Sequence, residues 1–291
     1  SECLVGSEMC IRDRTKAGIT TVVGCIGTDG VCRDMSSLLA KAKALEEEGI
    51  TTYCYTGSYE IPVRTLTDSI KKDIMLIDKI IGIGEIAISD TRSSQATYDE
   101  LIQAIAQSRV GGLLSGKSGI ANIHLGDGTR RLGYLFRLAN ETELPITQIL
   151  PTHINRNGDL FKSGEDYINK GGYIDFTTST PVDQLAPGEL RASEALSILI
   201  KNKSNVANVT FSSDGNGSLP IFDDEGNLIK VEICSVTSLY EEVKECIKTY
   251  KIPIEDALKV ITSNAAKVLK LDNKGSIKRG KDADLVLVNE D

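Results

Sequence analysis

Residues 80–90 read Ile-Ile-Gly-Ile-Gly-Glu-Ile-Ala-Ile-Ser-Asp. Its apolar core, Ile81–Ile88, does not alternate with polar residues, so a strand here is buried on both faces, as in a parallel sheet. Working outward, similar runs occur at Ile19–Val23, Thr51–Tyr55, Ile120–Ile123, Ile146–Leu150, Tyr173–Phe176 and Val206–Phe211. Amphipathic, helix-length stretches separate them: Ser37–Glu48, Asp68–Ile80, Tyr98–Leu114, Arg130–Ala139, Gly158–Asn169 and Pro187–Lys201, with Tyr240–Tyr250 and Ile254–Leu269 after the last run. Seven βα-type units are one short of a (β/α)8 barrel, and a TIM-type α/β barrel lacking its first strand is the expected fold. The alternative is a doubly wound open sheet. That fold ordinarily offers G-x-G-x-x-G after its first strand, and Gly24-Cys-Ile-Gly-Thr-Asp-Gly30 does not match.

Composition narrows the function. The 291 residues carry 33 Lys+Arg against 41 Asp+Glu, a net charge of −8 that repels phosphate backbones and argues against nucleic acid. No uninterrupted apolar stretch is long enough to span a membrane. The seven cysteines lack a C-x-x-C pair and read as free thiols in a reducing compartment, so a cytoplasmic location is expected. The N-x-[ST] matches at Asn140, Asn202, Asn208 and Asn216 are then chance.

Four apolar runs lead into residues able to bind metal: Glu85, His124, His153 and Asp214, spaced 39, 29 and 61 residues apart. A barrel of about 250 residues spends about 30 residues on each βα unit, so these spacings are one, one and two units. All four side chains are thus expected at the carboxyl-terminal mouth of the barrel. Two imidazoles and two carboxylates suit zinc-class divalent metals. Both histidines of the chain fall at strand ends. Gly111-Gly-Leu-Leu-Ser-Gly-Lys-Ser118 satisfies the phosphate-loop pattern, but it follows a helix and precedes a strand, the reverse of the order that pattern needs. It reads as a helix C-cap at Gly116, and nucleotide binding through Lys117 is a distant alternative.

The segments HLGD (124–127), LPTHINRN (150–157) and FSSDGNGS (211–218) resemble the isoaspartyl, or β-aspartyl, dipeptidases of the amidohydrolase superfamily, a superfamily of binuclear-zinc barrels. GITTVVGCIGTDG (18–30), YTGSYEIPVRT (55–65), AISDTRSS (87–94), SRVGGLLSGKSG (108–119) and GSIKRGKDADLVLVN (275–289) support the same match. The resemblance implies two Zn2+ per complete site. His124 and His153 would hold one ion, and Asp214 would hold the other and act as general base. Glu85 stands where well-known members bridge the ions with a carboxylated lysine; a glutamate already presents two anionic oxygens. By the same resemblance Tyr59 polarises the scissile carbonyl, Arg92 and Arg156 take the substrate α-carboxylate, and Ser218 helps hold its amino end. Read without the family, Arg92 pairs with Asp90, Tyr59 is a rim aromatic, and Asp214-Gly-Asn-Gly is a turn.

The expected division is a non-native leader over 1–14, an amidohydrolase barrel over 15–270, and the start of a small β-sandwich over 271–291. The family's His-x-His strand and glycine-rich loop with a substrate-binding glutamate are not in the sequence, so the polypeptide is expected to be a catalytically crippled fragment. The substrate class implied is a small isoaspartyl dipeptide, with no nucleic-acid or membrane partner and a homo-oligomer for the full-length protein. The rivals are another amidohydrolase activity, opening a cyclic amide or removing an N-acetyl group, and a non-catalytic scaffold.

Overall fold

A computed structural model describes residues 13–222 and 227–289. The expected leader lies outside the described residues except for Asp13 and Arg14, which open a helical turn over 13–16. Seven parallel strands follow in chain order: β1 (Thr21–Gly24), β2 (Thr51–Thr56), β3 (Ile80–Ile88), β4 (Ile120–Leu125), β5 (Ile149–Thr152), β6 (Ile174–Thr177) and β7 (Val209–Ser212). The first five pair as one sheet and β6 pairs with β7. The Ile154 N–H donates to the Asp175 carbonyl at 3.2 Å, which joins the two sets into one curled wall, a partial α/β barrel. Among the described residues no hydrogen bond joins β1 to β7.

Helices coat the outside: α1 (Met35–Glu47), α2 (Ile70–Leu76), α3 (Tyr98–Ser115), α4 (Gly133–Glu141), α5 (Gly158–Asn169) and α6 (Ala192–Lys201), then α7 (Ser238–Lys248), α8 (Ile254–Lys259) and α9 (Ser263–Leu269). Their starts follow ordinary capping chemistry. Thr97 and Glu100 close a capping box on α3, and Asn157 caps α5 by accepting from Leu160 N–H at 2.9 Å. The main core lies between strands and helices, where Ile83, Ile123, Phe176 and Val209 meet Leu101, Ile105, Leu135, Tyr167 and Leu199, all at most 1% exposed. A smaller core inside the barrel joins Tyr55, Ile81, Ile120, Leu150 and Val268.

Several sequence-based boundaries move for local reasons. Residues 146–148 and 206–208 are 3-10 turns rather than strand, because apolar residues in a buried turn look like strand residues. Asn208 is buried there to donate to the Gly171 and Gly172 carbonyls at 3.0 and 2.9 Å. The expected helix 254–269 breaks at Thr262 (φ −126°, ψ −92°), and that expected from Pro187 begins only at Ala192. A hairpin, β8 (Ser218–Phe222) with β9 (Leu228–Ile233), was not anticipated. Residues 284–289 form no strand, although Val286 lies against Gly18. The expected sandwich segment therefore has no sheet among the described residues.

The phosphate-loop look-alike resolves as expected. Gly116 is the left-handed C-cap of α3 (φ 71°). Lys117 Nζ donates to the carbonyls of Ile74, Ile77 and Ile80 at 2.7, 2.6 and 3.1 Å, tying the end of α2 to the start of β3. A cation spent on three carbonyls has no donor left for a phosphate. Lys117→Met keeps most of the aliphatic stem and strands these acceptors. It is expected to lower stability by about 1–3 kcal/mol in urea unfolding, and neither protein should bind Mg-ATP in calorimetry. ATP binding by the wild type would restore the nucleotide reading.

Candidate metal and hydrolytic site

Strand geometry assembles the site. Side chains two apart on a strand share a face, which puts Ile120, Asn122 and His124 of β4 on one side. His124, one residue before the end of β4, and Glu85 on β3 are 1% and 8% exposed, and His153 just past β5 is 5% exposed. His153 takes a left-handed backbone (φ 64°), a conformation that a non-glycine residue adopts at a cost and that is concentrated at functional sites.

The three side chains converge. His153 Nε2 is 3.0 Å and His124 Nδ1 is 3.5 Å from the same oxygen, Glu85 Oε1, and the imidazole centroids are 4.5 Å apart. One ligand atom from each residue lies within 4.8 Å of the others. The nitrogens facing away are also engaged. His124 Nε2 is 2.9 Å from Asp90 Oδ2, and His153 Nδ1 is 2.5 Å from Thr177 Oγ1. A buried carboxylate and two imidazoles, each fixed through its second nitrogen, suit a zinc-class cation.

Electrostatics sort the roles. Burial would raise the Glu85 carboxyl, but hydrogen bonds from His124 and His153 hold it well below the usual carboxylate range. Burial and the charge of His124 push His153 down to about 4, with Glu85 opposing in part. His124 moves the other way: burial lowers it, yet Asp90 and Glu85 together bring it above its ordinary value. Burial, reinforced by the charge of Glu85, raises the Tyr59 phenol far above its usual range and keeps it a neutral O–H. That hydroxyl is 2.7 Å from His124 Nδ1, which places it at the cluster itself.

The remaining candidates lie around this centre. Arg92 pairs with Asp90, Nε to Oδ1 at 3.0 Å and Nη2 to Oδ2 at 2.7 Å, and its guanidinium carbon is 5.6 Å from the Tyr59 ring centroid. Asp90, seen in the sequence only as a bland partner for Arg92, thus reaches a cluster histidine as well. Arg156 follows His153 by three residues, and its Nη1 is 4.0 Å from Asp127 Oδ2. Asp214 comes two residues after β7 in a left-handed conformation (φ 48°), in a turn closed by Gly217 N–H on its carbonyl at 2.9 Å. Its carboxylate is not one of the three converging groups. Solvent reaches it although protein surrounds it on most sides, and that enclosure with the charge of Glu85 lifts it to about 7. Ser218 opens β8, exposed, and makes no side-chain hydrogen bond among the described residues.

Thr177 and Asp175 had no distinguishing signal in the sequence, since both lie in an ordinary short strand. Thr152 Oγ1 and Ser212 Oγ donate to Asp175 Oδ2 at 2.7 and 2.5 Å, and Thr210 Oγ1 to Oδ1 at 2.6 Å. One buried carboxylate thereby ties β5, β6 and β7 together just beneath the mouth.

Comparison with known proteins finds relatives of this chain. The amidohydrolase family model matches residues 170–291. The structure is similar to that of a β-aspartyl dipeptidase from the thermophilic keratin-degrading Fervidobacterium islandicum AW-1, solved in complex with β-Asp-Leu. The two share 46% identity and a TM-score of 0.87 over 94% of this chain and 71% of that one. A second structure of a β-aspartyl dipeptidase from that organism gives 44% identity and a TM-score of 0.84 over 94% and 69%. An adenine deaminase at 15% identity, TM-score 0.57, covering 94% and 69%, shares the fold.

Proposed function

Since the chain belongs to the β-aspartyl dipeptidase family of metal-dependent amidohydrolases, we propose that its site takes β-aspartyl dipeptides and hydrolyses the bond formed by the aspartyl side-chain carbonyl. The observation that carries this is the convergence of Glu85, His124 and His153 with the Tyr59 hydroxyl beside them. The cation proposed is zinc, which these three residues would hold; Asp214, together with Glu85, would serve a second ion in a complete site. Zinc bound there supplies Lewis acidity and brings the pKa of a water towards about 7.

The protein's own groups divide the remaining work. Asp214 is the group proposed to accept a proton from the attacking water and return it to the leaving amine. Tyr59 stays protonated and donates to the carbonyl oxygen as charge develops, an interaction commonly worth about 3 kcal/mol. Arg92 and Arg156 offer guanidinium donors to the free α-carboxylate that distinguishes a β-aspartyl from an α-aspartyl substrate. Ser218 is assigned to the amino end of the substrate. One three-ligand cluster is found among the described residues, so turnover by these 291 residues is expected to be slow relative to binding.

Zinc-loaded protein is therefore expected to bind β-Asp-Leu in calorimetry and release leucine slowly, and to ignore α-Asp-Leu, dihydroorotate and an N-acetyl sugar phosphate. Preference for either of the last two would favour the rival amidohydrolase activities. Equal binding of the α- and β-linked dipeptides would remove the carboxylate argument.

A further inference from the structure

Asp90 lies two residues past β3 and contacts both Arg92 and His124, whose Nη2 and Nε2 atoms are themselves 3.1 Å apart. Its Oδ2 accepts from His124 Nε2 at 2.9 Å and Arg92 Nη2 at 2.7 Å, while Oδ1 accepts from the Arg92 backbone N–H at 2.7 Å and from Nε at 3.0 Å. Four contacts use its full acceptor capacity. An acceptor at Nε2 would hold the imidazole proton there when a cation replaces the proton that Nδ1 shares with Glu85. The guanidinium is held by its Nε/Nη2 edge. Its Nη1 has no hydrogen bond among the described residues, and the side chain is 46% exposed.

The neighbouring chain is shaped for this carboxylate. A β-carbon on Gly126 would lie 2.5 Å from Asp90 Cβ and 2.6 Å from Oδ2, closer than real atoms approach. Glycine two residues after His124 is what lets Asp90 reach that ring.

We infer that Asp90 is a positioning residue serving both halves of the site: it sets the metal-facing nitrogen of His124 and aims the free edge of Arg92 at the substrate α-carboxylate. The Arg92 half rests on the β-aspartyl reading above; the His124 half does not.

The test uses the 291-residue protein and two readouts that need no turnover. Zinc affinity is measured by competition with a chromogenic chelator. Binding of β-Asp-Leu and β-Ala-Leu, which differ by the α-carboxylate alone, is measured by calorimetry on zinc-loaded protein. Asp90→Ala removes both contacts and is expected to weaken zinc about 10–100-fold. Asp90→Asn keeps an oxygen for His124 Nε2 but turns an amide N–H2 towards Arg92, so it should retain most of the zinc affinity. Both variants should bind β-Asp-Leu at least about tenfold more weakly, with β-Ala-Leu held within about twofold. Gly126→Ala keeps the carboxylate but displaces it, and should repeat both losses of Asp90→Ala.

Zinc affinity of Asp90→Ala within about threefold of the wild type, or equal losses for the two ligands, overturns the inference. So does failure of both Asp90→Ala and Gly126→Ala to fold by circular dichroism, because Asp90 would then be holding the fold and not the site. A wild type that binds the two ligands equally defeats the β-aspartyl reading instead, and the chelator measurement still decides the His124 half.

Discussion

Glu85→Ala is expected to bind zinc several hundredfold more weakly than the wild type while keeping its circular dichroism spectrum. Zinc sites with four protein ligands are worth about 10–16 kcal/mol, or about 3–4 kcal/mol for each ligand, and about 1.4 kcal/mol is a factor of ten. Glu85 should stand at the upper end, because both imidazoles approach the same one of its oxygens. Removing it leaves two neutral donors and no anion among the converging groups. Chelator competition reads the change, and Glu85→Gln separates charge from shape: similar loss in both variants identifies the negative charge as the source. A Glu85→Ala protein that binds zinc within about threefold of the wild type would mean that the ion is held elsewhere.

What the sequence disclosed about this site follows from where each signal is stored. Glu85, His124 and His153 were legible because parallel strands in a barrel end on one rim, so a polar residue closing an apolar run is already placed. The spacing of 39 and 29 residues between them carried that geometry. Asp214 was legible by the same rule, but its distance from the other three was not, since it depends on a left-handed turn after β7. Tyr59 sits on the loop between β2 and α2 and needed the family resemblance to be noticed at all. Asp90 was visible only as a neighbour of Arg92, because the reach to His124 depends on Gly126 leaving room across the β3–β4 pair. Strand existence was read well and strand starts were not: Ile146 and Val206 are apolar and β-branched, yet they belong to turns whose conformation is set by tertiary contacts. The β8–β9 hairpin was missed although Ile229, Val231 and Ile233 alternate with Lys230 and Glu232, a strand pattern whose apolar face is here exposed.

Asp175 gives a prediction that needs no metal and no substrate. It is 3% exposed, inside the barrel, and burial lifts its carboxyl from 3.8 to about 6 despite hydrogen bonds from Ser212, Thr210 and Thr152. The sign follows from proton binding. Below pH 3.8 the folded and unfolded chains both hold the proton, and Asp175 contributes its full stability. Between 3.8 and about 6 the unfolded chain ionises while the folded one does not, so stability falls as pH rises. Above about 6 the loss is complete and constant. The gap between 3.8 and about 6 corresponds to about 3 kcal/mol. Asp175→Asn removes the ionisation and nearly preserves the shape. An amide oxygen in place of Oδ2 still accepts from Thr152 and Ser212, and the amide N–H2 meets the Thr210 hydroxyl, which can rotate to accept. In urea titrations from pH 4 to pH 8, the variant should therefore gain on the wild type as pH rises, by up to about 3 kcal/mol. His124 and His153 titrate in both proteins, so their contribution cancels in the difference. Parallel stability curves for the two proteins would show that Asp175 ionises in the folded state as easily as in the unfolded one. The three hydroxyls would then be offsetting the whole cost of burying its charge.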